Sequence, residues 1–101
     1  MKKSFIAKLW VNDASVELNA FVEEFLASTV IGAASALKGG EDIKNLELYL
    51  DEGVPRVIVN GKELPLTAFP NEIIANTLIG LVSSLKGVDR VSNLRINIKA
   101  L

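Results

Sequence analysis

The chain has 101 residues, half of them apolar, and a net charge of −1, which suits one compact domain and argues against a polybasic nucleic-acid binder. Cysteine and histidine are both absent. Disulfide frameworks, thiolate chemistry and Ser-His-Asp catalysis are therefore excluded, and so are the commonest metal ligand and general base.

Lys2 and Lys3 open the chain like the basic end of a secretory leader, but Lys8, Asn12 and Asp13 break the apolar run that would have to follow. No membrane anchor is expected, and a cytoplasmic location is. Phe5 to Val11 reads as a strand carrying Trp10, which is taken as a structural aromatic. Asn12-Asp13 is a turn signal, and a short strand follows around Val16 and Leu18. Asn19 can cap a helix that runs to Lys38 and stops at Gly39. On a helical wheel Val22, Phe25, Leu26, Thr29, Gly32, Ala33 and Ala36 form the expected inner side, and Glu23, Glu24, Ser35 and Lys38 the outer. Ile31 falls on the outer side as well. Leu46, Leu48 and Leu50 then alternate with Glu47 and Tyr49, the period of a half-buried strand.

The pattern now begins again. Residues 6–53 align on 54–101 without a gap at a shift of 48, with sixteen identities. IGAASALKGG at Ile31 becomes IGLVSSLKGV at Ile79. Val57 to Val59 repeats the first strand, and Asn60-Gly61 repeats the turn as the stronger hairpin signal. Pro65 removes a donor from the next short strand and places it at a sheet edge. Thr67 can cap the second helix, which tolerates Pro70 in its first turn. Leu94, Ile96 and Ile98 alternate like the earlier leucines. The expected fold is thus α+β: two ββαβ units, 6–53 and 54–101, forming one pseudo-twofold domain with both helices on one face of the sheet. The link Asp51-Glu52-Gly53 is too short to separate two domains.

Each candidate chemical motif has a plainer reading. Adjacent carboxylates such as Glu23-Glu24 and Asp51-Glu52 diverge on any regular element and do not form an acid–base pair or a metal site. Lys38 and Lys86 suit helix C-terminal capping. Leu37 to Gly40 follows a helix and lacks the phosphate-loop frame. No catalytic residue, metal or cofactor is expected.

What remains is a surface. The apolar content is high for so small an interior. Ile31, Ile79 and Val82, with Ser35 and Ser83, fall on the expected outer helix side. Residues 1–53 carry five basic and nine acidic side chains, and residues 54–101 carry six and three. These features point to a homo-oligomer, a dimer by default, with no nucleic-acid partner. Thr29, Gly32, Asn76, Thr77, Gly80 and Ser84 are candidates for a close helix–helix contact or, in the alternative reading, for a small-molecule pocket between the two helices.

The strand ending in VNGKELPL, followed by a helix and a strand, resembles the core of the ubiquitin-like β-grasp. That resemblance implies first and last strands that lie parallel at the sheet centre. Sulfur carriers of that fold end in Gly-Gly. Here Gly39-Gly40 is internal and the sequence ends Ile98-Lys99-Ala100-Leu101, so carrier function is not expected.

Overall fold

The computed structural model describes residues 5–35, 42–52, 54–64, 68–85 and 90–101, with the side chains of 68–74 outside that description. The readings at Lys38, Gly39, Pro65, Thr67 and Lys86 lie outside the described residues. The element order is β1 (Phe5–Val11), β2 (Ala14–Val16), α1 (Ala20–Ser35), β3 (Asn45–Asp51), β4 (Val54–Val59), β5 (Lys62–Leu64), α2 (Ala68–Ser83) and β6 (Asn93–Ala100).

The six strands form one sheet in the order β2-β1-β6-β3-β4-β5, antiparallel throughout. β3 and β6 are the central pair, so each sits between strands distant in sequence. This departs from the β-grasp expectation: β1 and β3 run parallel but do not share the sheet centre, because β6 lies between them.

Local chemistry explains the turns. Asn12 and Asp13 have φ of 51° and 68°, and Asn60 and Gly61 have 52° and 83°. These are the left-handed values a two-residue hairpin needs, and Asn, Asp and Gly reach them most easily. The two asparagine side chains then tie the hairpins to distant loops. Asn12 Oδ1 accepts from the Ser92 and Asn93 amides at 2.8 and 3.1 Å, and its Nδ2 donates to the Arg90 carbonyl. Asn60 Oδ1 accepts from the Lys44 and Asn45 amides at 2.9 and 3.0 Å, and its Nδ2 donates to the Asp42 carbonyl. Each hairpin thereby fixes the entrance to a central strand.

Asn19 caps α1 through a 2.8 Å bond from the Val22 amide to its side-chain oxygen, and Pro70 is the third residue of α2. Period-two alternation sends Leu9, Leu48, Val57 and Ile96 to one sheet face, where register sets them side by side. Leu26, Ala27, Val30 and Ala34 of α1, and Ala75, Leu78 and Val82 of α2, join the same core cluster. The helices therefore cover that face, and among the described residues no helix lies on the opposite one.

Candidate functional site

The helical layer differs from the wheel prediction by a rotation. Val82 is fully buried, and Ile31 and Ile79 are half-buried against the core. These three residues, expected on the outer surface, help to hold the helices to the sheet. Phe25, expected inside, is 50% exposed, and Phe21 is 74% exposed. Their rings lie 6.0 Å apart. Ser28, Gly32, Ala33 and Ser35 are exposed on the same helix. The physical reason is that both helices are apolar nearly all round. Periodicity then cannot select the inner stripe, and the longer side chains Leu26 and Val30 fill the core better than Gly32 or Ala33.

Gly32 and Gly80 do not meet another element. A Cβ built at either finds no atom within 4 Å. Among the described residues the expected close helix–helix contact is therefore not made at these glycines. Thr29 is half-buried, whereas Asn76, Thr77, Ser83 and Ser84 are exposed. Ser84 Oγ donates back to the Gly80 carbonyl at 2.9 Å. The outward residues Ser28, Gly32 and Ser35 of α1, and Asn76, Thr77, Gly80 and Ser83 of α2, are small or short polar side chains. No exposed residue of α1, nor any among the described side chains of α2, carries a charge. Glu23 and Glu24 are half-buried, and Glu23 accepts a 2.9 Å bond from the Ala7 amide.

The other sheet face has a different chemistry. Register aligns Trp10 of β1, Arg95 of β6, Tyr49 of β3 and Arg56 of β4 in a row across four strands. The Arg95 guanidinium lies 4.0 Å above the Trp10 ring, and that of Arg56 lies 6.0 Å from the Tyr49 centroid. Both are within cation–π range. Arg56 also forms a 2.8 Å ion pair with Glu63, which raises its pKa through the hydrogen bond and then through charge. Both partners are more than half exposed, so the pair adds little stability. Beside this row lies a cleft of about 440 Å³ lined by Trp10, Tyr49, Arg56, Arg95, Asp13 and Asp51, among others. Trp10, expected as a structural aromatic, instead belongs to this surface row. The signal was present in the alternation, which sends Trp10, Tyr49, Arg56 and Arg95 all outward.

Among the described residues no group of three or more acidic side chains converges as a metal site would, and no helix is long and apolar enough to cross a membrane. Comparisons with protein-family models, curated proteins and solved structures return no match to this chain.

Proposed function

We propose that this chain is a duplicated ββαβ domain that serves as a non-enzymatic assembly module, pairing with a second copy of itself through the helical layer. The duplication reading is supported by the sheet. Its strand order is unchanged, apart from direction, when β1, β2 and β3 are exchanged with β4, β5 and β6. Leu9 opposite Ile96 becomes Val57 opposite Leu48 under the shift of 48, and Asn12 with Ser92 and Asn93 becomes Asn60 with Lys44 and Asn45.

The observation that carries self-association is the outer helical face, where exposed aromatic rings and small residues lie together with no exposed charge among the described side chains. Exposed aromatic rings on an uncharged surface mark a contact site, and small residues let a second helix approach closely. The occupant is a second copy because a face without exposed charge among its described side chains complements itself, and a twofold axis sets it against its own counterpart. The three-residue edge strands β2 and β5 leave little room for edge-to-edge pairing, so association through a face is favoured.

The test is Phe25→Glu, with Lys8→Glu on the opposite face as control, followed by size-exclusion chromatography with light scattering. The wild type and the control are expected at twice the chain mass of 10.9 kDa, and Phe25→Glu at the single mass with its circular dichroism retained. Equal masses for all three would refute the assignment of the interface to this face.

A further inference from the structure

We infer that the cleft beside the Trp10–Arg95–Tyr49–Arg56 row binds a free nucleoside monophosphate. This goes beyond self-association and concerns the opposite face of the molecule.

The cleft's volume, about 440 Å³, lies in the range of small-ligand sites, roughly 300–1,000 Å³. Its walls combine two kinds of flat surface, the aromatic rings of Trp10 and Tyr49 and the guanidinium planes of Arg95 and Arg56. Both kinds stack on a planar heteroaromatic ring. The arginines differ in what they have left to give. Arg56 is engaged by Glu63. Arg95 forms no ion pair among the described residues, so its charge and fork of donors remain for an anion. Asp13 and Asp51 also line the cleft and can accept hydrogen bonds from ring amino groups or sugar hydroxyls. A flat ring, hydroxyls and a compact anion together describe a nucleotide. With Arg56 paired to Glu63, Arg95 alone is left in the cleft for a phosphate, which suits one phosphate group rather than the successive phosphates of a nucleic-acid strand.

The row is not a requirement of the fold. Its counterparts at the shift of 48 are Ile58, Glu47, Asn97 and Lys8, which form a second row across the same strands without an aromatic ring or an arginine.

Trp10 is the single tryptophan, so its fluorescence reports on the cleft directly. Adenosine and uridine monophosphates are titrated separately, with adenosine and inorganic phosphate as controls. At least one nucleotide is expected to saturate below about 1 mM, with adenosine and phosphate each at least about tenfold weaker. Arg95→Met is expected to weaken nucleotide binding at least about tenfold, and Arg56→Met no more than about threefold. If Arg95→Met does not fold, Arg95→Lys serves instead. It keeps the charge, loses the plane and the fork, and is expected to weaken binding about fivefold. The inference is overturned if neither nucleotide saturates, or if the Arg95 variant that folds binds like the wild type. Tighter binding of an oligonucleotide, rising with strand length, overturns the choice of a free nucleotide.

Discussion

Two rows cross the open face of the sheet, and their contrast separates what folds this chain from what decorates it. Trp10, Arg95, Tyr49 and Arg56 form one row, and Ile58, Glu47, Asn97 and Lys8 the other. These residues correspond one for one at the shift of 48, yet no pair shares a residue type. Beneath them, on the covered face, Leu9, Leu48, Val57 and Ile96 correspond as apolar for apolar. Burial constrains the inner face in both halves alike, because each vacancy there costs packing. Water constrains the outer face very little. A row of aromatic rings and arginines that is missing from its counterpart is therefore not something the fold demanded.

The contrast breaks if inner counterparts behave unequally. Leu48→Ala and Ile96→Ala, both almost fully buried, are each expected to cost about 2–5 kcal/mol in denaturant unfolding. A cost below about 1 kcal/mol at one of them would mean that the central pair is not equivalently packed.

The asparagine clamps come next. Asn12→Ala and Asn60→Ala each lose three side-chain hydrogen bonds at an exposed site and leave alanine at positive φ. About 2–3 kcal/mol is expected for each, with the two values within about 1 kcal/mol of one another.

The halves part company at the sheet edges. β2 pairs only with Leu9 to Val11, so the outward Ala7 amide lies beyond its end and is met by Glu23 instead. The residue corresponding to Ala7 is Pro55, which has no amide hydrogen to satisfy. One edge is capped and the other has its donor removed. Glu23→Ala is expected to cost about 1–2 kcal/mol, and to cost much less when Ala7→Pro is made with it, because the orphaned donor is then gone. Thermal melts of the single and double variants form the cycle that checks this.

Smaller effects belong to the outer surfaces. Trp10→Ile, which copies the second row into the first, is expected to change stability by no more than about 1 kcal/mol. Gly32→Ala and Gly80→Ala have open space around the added methyl group and should each stabilise the isolated chain by up to about 1 kcal/mol. A loss of stability that appears only at high protein concentration would place these glycines in the contact between copies.

The inner strand residues were legible because alternation has one solution when one face is dry: Leu46, Leu48, Leu50, Leu94, Ile96 and Ile98 all face the core. The hairpin turns were legible from Asn12-Asp13 and Asn60-Gly61, whose chemistry fixes φ. The strand order was not. Exchanging β3 and β6 between the halves leaves every local signal unchanged and alters only which distant segments meet. The orientation of the helices was not legible either, because Phe25, expected inside, and Ile31, expected outside, are both large and apolar and exchange places. The aromatic–arginine row needed the registers of four strands at once, so each member alone looked like an ordinary surface residue.

Sedimentation equilibrium of the unaltered chain across micromolar concentrations tests the central claim, assembly through the helical face, most directly. The mass is expected to rise with concentration to twice 10.9 kDa and to level there, as that of a closed twofold dimer must. A mass of 10.9 kDa throughout, with Phe21 and Phe25 left in water, would contradict it.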